Sequence, residues 1–172
     1  YIKNINQAFN ECDIEIERFL SCTFSLGAKL LNYNELQLGS ILVDIGYEKF
    51  SLGMFKNQAL VHSTTLPVGI NHITKDIAKV CSLTLEESEI IKNKFDYSFE
   101  NNSELFDSKE HLKDIYFKSS HYRKITKSLI LSIIKSRLDE VFEILKKQIN
   151  TTKLDLTAGT NILIVGGGSY LK

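Results

Sequence analysis

The sequence has little proline, no tryptophan and no excess of charge of either sign. Pro67 is its single proline, and hydrophobic residues make up 43% and charged residues 24% of the 172 residues. This is the ordinary balance of a soluble globular chain, long enough for one large or two small domains. Lysine plus arginine equals aspartate plus glutamate at 21 each, so no overall field favours nucleic acid or an acidic membrane. We therefore predict no nucleic-acid partner.

Cysteine and long apolar runs are also scarce. Cys12, Cys22 and Cys81 are odd in number, lack metal-ligand spacing and each lie among apolar neighbours. We therefore predict buried thiols and a reducing cytosol. No apolar run reaches the roughly 18 residues of a membrane span, and no signal peptide is evident. The start at Tyr1, rather than at a methionine, and the end four residues after Gly168 suggest an excerpt of a longer protein.

Motifs of common catalytic sites are missing. The four histidines, His62, His72, His111 and His121, have no metal-like spacing and no cysteine or carboxylate constellation around them. The chain contains no Gly-x-Ser-x-Gly motif, no Walker loop and no catalytic carboxylate pair. We therefore predict surface or loop histidines and assign no catalytic residue.

Hydrophobic periodicity indicates an α/β chain. The predicted helices are residues 2–11, 23–31, a segment that begins at Asn71, residues 84–95 and residues 127–150. The predicted strands are residues 13–22, 41–45, 50–55, 59–68, 114–118 and 161–165. Residues 32–34 break the second helix, and residues 56–58 form a hairpin loop.

The helix signals differ in kind. Asn71 is a suitable N-cap for a helix whose stripe is Ile73, Ile77 and Val80. Thr84 and Glu87 have the spacing of a capping box. The helix over residues 127–150 has a five-residue core stripe, formed by Ile130, Ile134, Leu138, Val141 and Leu145. That helix is long enough, at roughly 36 Å, to cross a whole domain.

Two predicted strands run directly into glycine turns. Residues 41–45 lead to Gly46, and residues 161–165 lead to Gly166, Gly167 and Gly168. Glycine lets backbone N–H groups approach a phosphate because no Cβ is in the way. The pair of turns therefore predicts a site for a phosphorylated ligand, although a glycine run by itself is also typical of a flexible strand exit.

An ordered set of segments resembles the second half of FtsA, the actin-like cell-division family of bacteria. Glu35 and Gly39 precede the strand as in the family's connector. The segments that resemble family motifs are Val43-Asp44-Ile45-Gly46, Leu66-Pro67-Val68-Gly69, Asn71 to Ala78, Glu86 to Lys92, Ile133-Ile134 with Arg137 and Glu140, and Ile162 to Ser169. No single segment is decisive, but their order is specific.

The resemblance implies an α/β chain of the actin-like (ribonuclease H-like) ATPase fold. A mixed sheet with flanking helices would carry a smaller inserted α/β subdomain. Residues 1–38 would end the first actin-like domain and form the connector. Residues 39–82 and 151–172 would form the second core subdomain, and residues 83–150 the insertion with the long helix.

The resemblance also implies a nucleotide site. Asp44 would organise magnesium through water, and the nucleotide-binding residues would be Gly46, Glu89, Lys92, Gly166, Gly167 and Gly168. Without the resemblance, Glu89 and Lys92 at this spacing would be interpreted as a solvated helix pair. ATP and magnesium are the implied cofactors.

The turn after Asp44 departs from the family pattern. Where the family has Asp-x-Gly-Gly-Gly-Thr-Thr-Asp, this chain has Asp44-Ile45-Gly46-Tyr47-Glu48-Lys49-Phe50-Ser51. Tyr47 adds bulk and Glu48 adds a negative charge beside the expected phosphates, which Lys49 offsets only in part. We expect weakened binding of ATP and magnesium, with hydrolysis absent or very slow, so enzymatic activity is doubtful.

The function implied by the resemblance is that of a cell-division scaffold. It would bind the tail peptide of FtsZ, recruit other divisome proteins and self-associate into filaments. Its place would be the bacterial cytoplasm, on the cytoplasmic face of the inner membrane at the division site, attached by a helix absent from this chain. The alternatives are a pilus-assembly adaptor of the same fold and an active actin-like ATPase.

Overall fold

The computed structural model describes residues 1–96, 102–152 and 160–170, and within them four strands form one mixed sheet. The strands are β1 (Ser40–Ile45), β2 (Phe50–Lys56), β3 (Ala59–Leu66) and β4 (Asn161–Val165), in the order β3-β2-β1-β4. β2 pairs antiparallel with both β1 and β3, whereas β4 pairs parallel with β1. The mixed sheet and its flanking helices confirm the predicted fold class.

The helices lie on both faces of the sheet and beyond it. They are α1 (Ile2–Asn10), α2 (Cys22–Leu30), α3 (Tyr33–Leu38), α4 (Ile70–Cys81), α5 (Leu85–Lys94) and α6 (Lys127–Thr151). Short 3-10 turns cover Asn102–Glu104, Asp114–Tyr116 and Gly167–Tyr170. In the described part of the chain, no helix combines the length and the apolarity that crossing a bilayer requires.

The central strand β1 is apolar on both sides because both of its faces are covered. Ile41, Val43 and Ile45 pack with Val141 and Leu145 of α6. Leu42 lies on the opposite face, in a cluster to which α2 and α3 contribute. A strand buried on both faces needs a continuous apolar run rather than an alternating one, which is why residues 41–45 were predictable.

The predicted hairpin between β2 and β3 closes as a tight turn. Asn57 and Gln58 both have left-handed φ values, 53° and 62°. Two consecutive left-handed residues match the right-handed twist of the flanking strands. The turn is also held to α3, because the amides of Asn57 and Gln58 donate to the carbonyls of Gln37 and Leu36 at 3.2 and 2.9 Å.

A second hydrophobic core lies beyond the sheet, and two helices join it to the first. Ile73 and Ile77 of α4 pack there with Ile130 and Ile134 of α6. The later part of α6 packs on the sheet instead. At 25 residues, α6 is about 38 Å long, enough to contact both cores. Thr84 and Glu87 form the predicted capping box of α5.

The predicted division of the chain into domains remains a prediction. Residues 153–159 and 171–172 of its second core segment, and residues 97–101 of its insertion, lie outside the described residues. In the described part of residues 83–150, β pairing occurs only as isolated bridges, Phe106 with Leu112 and His111 with Thr126.

Two predicted strands are wrong. Residues 13–21 contain no regular strand, and α2 begins at Cys22 with Ser21 as its cap. The alternation there has no partner strand among the described residues, and a strand without a partner leaves its amides unpaired. Residues 114–118 contain a 3-10 turn, because the amides of Tyr116 and Phe117 donate locally, to Lys113 and Asp114.

Several local predictions also need correction. The N-cap of α4 is Gly69, two residues before the predicted Asn71. Val80 is 54% exposed, so Cys81 completes the stripe. Of the cysteines, Cys12 and Cys22 are exposed, and only Cys81 is buried, where desolvation raises its pKa to about 11. The predicted break of the second helix at residues 32–34 is confirmed, because α2 ends at Leu30, but the same residues also start α3, which was not predicted and is capped by Asn32 and Glu35.

Candidate nucleotide site at the strand ends

The parallel pairing of β1 and β4 places the two glycine turns side by side. Asp44 is in register with Val165, so Gly46 and Gly166 follow at the same edge of the sheet. Gly166 has a φ of +90°, and a Cβ there would overlap Asp44 Oδ1 and the carbonyl oxygen of Ile45. Only glycine allows this approach of the two backbones.

The last two glycines of the turn have different surroundings. A Cβ on Gly168 would overlap Ile45 and approach Ile70 Cγ2 to 2.8 Å, so Gly168 is packed against the start of α4. A Cβ on Gly167 would meet nothing within 4 Å. Gly167 is therefore the position of this turn that faces open space.

The turn after β1 is closed on itself and on α4. The Gly46 amide donates to the Lys49 carbonyl at 3.0 Å. The first two amides of α4, at Ile70 and Asn71, donate to the carbonyls of Gly46 and Tyr47 at 3.1 and 2.9 Å. A helix start can bind an anion through its free amides. Here those two amides are occupied by the protein's own backbone.

Glu48 places a carboxylate at the same helix start. Its Oε1 accepts a hydrogen bond of 2.7 Å from Asn71 Nδ2. A negative side chain near a helix N-terminus interacts favourably with the helix dipole. The side chain predicted as the N-cap therefore anchors the turn instead, and Glu48 lies where the family's loop would approach phosphates.

Glu89 and Lys92 form a buried cluster with Thr74 rather than a solvated pair. The Lys92 ammonium donates to Glu89 Oε1 and Oε2 at 2.9 and 2.7 Å and to Thr74 Oγ1 at 3.0 Å. Thr74 in turn donates to Glu89 at 2.5 Å. Lys92 is 1% exposed, whereas the Glu89 side chain is 34% exposed. Sequence reasoning missed Thr74, although its position three residues before Ile77 and seven before Cys81 places it on the buried stripe of α4.

The electrostatics of this cluster favour an ionised Glu89. Burial acts to raise the pKa of Glu89, but hydrogen bonds from Lys92 and Thr74 and the Lys92 charge hold that pKa below its usual value. The Tyr47 ring lies over Lys92, with 5.9 Å between Nζ and the ring centroid. Tyr47 thus links the turn after β1 to α5.

Helix α4 also sets the spacing between the glycine turn and the Glu89 cluster. Ile70 contacts the backbone at Gly168, and Thr74, one helical turn later on the same face, binds Glu89. One turn is about 6 Å along the helix axis. The structure therefore gathers the predicted residues into one region, although Lys92 is too deeply buried to present its amine to solvent.

A second polar cluster joins two of the quoted motifs, which lie 61 residues apart in the sequence. Arg137 Nε and Nη2 donate to Asp76 Oδ2 and Oδ1 at 2.6 and 2.9 Å, and Nη1 donates to Glu140 at 2.5 Å. The hydrogen bond to Asp76 raises the pKa of Arg137. This bidentate pair fastens α4 to α6 between the two cores.

Glu87 has a structural role on the same helix as Glu89. It is 2% exposed and accepts hydrogen bonds from the amides of Thr84, Ser119 and Ser120 at 2.9, 2.7 and 3.1 Å. The Ser120 hydroxyl adds a fourth at 2.6 Å. Burial alone would raise its pKa, but these donors lower the pKa of Glu87 to about 2.

The fit to a nucleotide is uneven across the site. Asp44 is partly buried beside Gly166, and its role in organising water around magnesium stays a prediction. The described residues contain no group of three or more side chains that could together hold a metal ion. The glycine turn and Glu89 fit a nucleoside. The turn from Gly46 to Lys49 fits phosphates poorly because its neighbouring amides are occupied and Glu48 is negative.

Comparison with solved structures defines the class of protein. MreB5 of Spiroplasma citri bound to ADP superposes with a TM-score of 0.69 at 18% identity, covering 98% of this chain and 54% of MreB5. The PilM-PilN type IV pilus biogenesis complex gives 0.62 at 18% identity, covering 99% and 42%. EutJ from Carboxydothermus hydrogenoformans gives 0.59 at 17%, covering 96% and 48%. This chain has the actin-like ATPase fold.

Sequence comparison gives the family. The family described as cell division protein FtsA matches residues 41–171, and the chain belongs to this family. Curated FtsA proteins of Buchnera aphidicola subsp. Baizongia pistaciae and Rhizobium meliloti are 26% and 23% identical over 99% of the chain. The chain covers 41% and 38% of them, so it spans about two fifths of their length.

Proposed function

We propose that this chain is the second actin-like half of an FtsA-type division scaffold with weakened or lost ATP hydrolysis. The family match over residues 41–171 carries this proposal. The two family-like segments that contain Asp76 and Arg137 also contact each other, through the ion pair between these residues. As a scaffold it would link FtsZ to the cytoplasmic membrane and recruit other divisome proteins.

The turn after β1 supports the weakened grip on ATP. Glu48 lies at the start of α4, fixed by Asn71. A carboxylate about 5 Å from one phosphate charge costs about 3 kcal/mol at an effective dielectric of about 20. Tyr47 adds bulk at the next position of the same turn. Exposed Lys49 offsets part of this cost.

The docking site for FtsZ would lie on the region of residues 83–150. An open groove of about 400 Å³ runs between α4 and α6 beside this region. Val80, Leu129 and Ile133 line it with apolar side chains, and Arg137 and Glu140 supply charge. An apolar groove with a charged rim is suited to a short peptide.

Peptide capture by the full-length protein tests the scaffold. The FtsZ tail peptide should be retained, and substituting Val80 with Glu should weaken that retention about tenfold by placing a charge in the groove. Lys135→Glu, an exposed change elsewhere on α6, is the matched control. The pilus-assembly alternative predicts a different result. Retention of the N-terminus of a short inner-membrane protein instead of the FtsZ tail would favour it, and the superposition on the PilM-PilN complex is the observation behind it.

Self-association and location complete the proposal. Filaments would form through contacts between actin-like subdomains, at the cytoplasmic face of the inner membrane of the division site. The membrane would be reached through a helix outside this chain. Electron microscopy of the full-length protein with lipid vesicles tests both points, since filaments should be seen on the vesicle surface. Vesicles that carry no filaments would contradict them.

A further inference from the structure

The edge of the sheet where the two glycine turns meet is poor in groups that bind phosphate. Asp44 and Glu48 both contribute carboxylates there. The buried Lys92 ammonium is neutralised by Glu89 and donates a further hydrogen bond to the Thr74 hydroxyl. The turn after β1 itself supplies one exposed cation, Lys49, against these two carboxylates. A ligand with several negative charges would therefore meet more repulsion than attraction.

The amides that normally compensate for missing cations are also occupied. Those of Ile70 and Asn71 donate to the turn after β1, and that of His72 donates to the Gly69 carbonyl at 3.0 Å. The Gly69 amide donates to His72 Nδ1 at 3.2 Å. The helix start that could receive a phosphate is thus satisfied by backbone and side-chain contacts of its own.

The other side of the region keeps groups that suit an uncharged sugar and base. Glu89 is one-third exposed and is held in place by Lys92 and Thr74. Asn93 Nδ2 also donates to Glu89 Oε1, at 3.3 Å, and a sugar hydroxyl would have to displace this long, exposed hydrogen bond. An ionised carboxylate is a strong acceptor for the paired hydroxyls of a ribose. Gly167 faces open space, and Tyr47, 53% exposed, offers an aromatic face.

From this asymmetry we propose that the site takes an uncharged ribonucleoside in preference to a nucleoside triphosphate. Tyr47 and Glu48 determine this preference by replacing phosphate contacts with contacts inside the protein. Glu89 accepts hydrogen bonds from the sugar, while Lys92 and Thr74 are positioning residues that do not touch the ligand. The inference rests on the proposed function only for the location of the site.

Calorimetry on the full-length protein tests the preference. Adenosine, AMP, ADP and ATP are titrated separately, each with and without magnesium. Affinity should fall as phosphates are added, with ATP at least tenfold weaker than adenosine, because each phosphate adds charge near Glu48. Equal or tighter binding of ATP under either condition overturns the inference. Failure of all four to bind overturns it as well.

Two substitutions separate the two sides of the site. Glu48→Gln keeps an acceptor for Asn71 but removes the charge, and should narrow the difference in affinity between adenosine and ATP at least tenfold. Glu89→Gln should weaken adenosine about tenfold by removing a charged acceptor. Glu86→Gln, on the exposed face of α5, is the matched control and should leave both affinities unchanged.

The same preparations also distinguish this inference from the scaffold proposal. Thermal melting first establishes that each variant is folded. If Glu89→Gln unfolds, Glu48→Gln still tests the preference for adenosine over ATP, because it alters only a surface turn. If the protein captures the FtsZ tail but binds ATP as tightly as adenosine, only the nucleoside preference is overturned. If the affinities fall from adenosine to ATP as predicted but the protein does not capture the FtsZ tail, only the scaffold proposal is overturned.

Discussion

The two glycine turns lie at one edge of the sheet, yet they differ in what they offer a ligand. The turn from Gly46 to Lys49 is closed by backbone hydrogen bonds and anchored to α4 through Glu48. The turn at Gly166 keeps glycines where packing demands them and leaves Gly167 open. The comparison teaches that two turns at one edge of an actin-like sheet can differ in what they leave open while the architecture around both stays the same.

Restoring the family's loop should give the largest change. The combined substitutions Tyr47→Gly, Glu48→Gly and Lys49→Thr should tighten ATP binding about a hundredfold, since a repulsion of about 3 kcal/mol is removed. Calorimetry on the full-length protein measures the change, with Glu86→Gln as the unaffected control. If the unaltered protein already binds ATP as tightly, bulk and charge in the turn do not matter.

The Glu89 cluster should give the next largest effect, on stability. Glu89→Ala should lower the free energy of unfolding by about 3 kcal/mol, because it leaves the buried Lys92 ammonium without a counter-charge. Urea titration measures the loss. The double variant Glu89→Ala with Lys92→Met should recover most of it. A cluster that is only a solvated pair would show neither the loss nor the recovery.

Glu87 should make stability depend on acid pH. Its pKa is about 2 in the folded protein against an ordinary 4.5, so its contribution is complete above pH 4.5 and is lost as pH falls towards 2. Between pH 7 and pH 3 this should remove about 2 kcal/mol. Urea titrations at both values should show a smaller loss in Glu87→Gln. An equal loss in both proteins would assign the acid sensitivity to other carboxylates.

The anchor of the first turn should give the smallest effect. Asn71→Ala removes the hydrogen bond to Glu48 and should cost about 1 kcal/mol of unfolding free energy. The same change should increase amide exchange at Gly46, whose amide donates to the Lys49 carbonyl within this turn, while leaving Gly167 unchanged. Equal protection of the first turn in both proteins would show that the backbone bonds to Gly46 and Tyr47 suffice without the side chain.

Much of the architecture could be predicted from local pattern, and much of the site could not. β1 has the continuous apolar run and α6 the helical stripe that their burial requires, and Gly166 marks a left-handed position that the strand pairing imposes. Lys92 gave no such signal, because a lysine three residues from a glutamate on a helix resembles an exposed pair. Its burial depends on Thr74, which another helix brings to it.

The strand predicted at residues 13–22 is wrong for a similar reason, because a strand also depends on contacts with another element. Alternation reports which side chains would share a face, but it does not report whether a neighbouring strand exists to accept the hydrogen bonds. The occupied helix start of α4 was also beyond sequence reasoning, since it depends on the approach of Gly69 to the backbone of Tyr47 and Glu48. Tertiary contacts decided each of these cases.

Helix α6 has a mechanical consequence. It runs 25 residues without proline or glycine, and α4 is fastened to it by Arg137 and Asp76. Two struts joined by a cross-brace resist shear better than either strut alone, and a helix without a break has no hinge of its own. A force on the second hydrophobic core, the one beyond the sheet, would therefore be transmitted along α6 to the sheet without bending the helix. The ion pair between Arg137 and Asp76 would keep α4 moving together with α6.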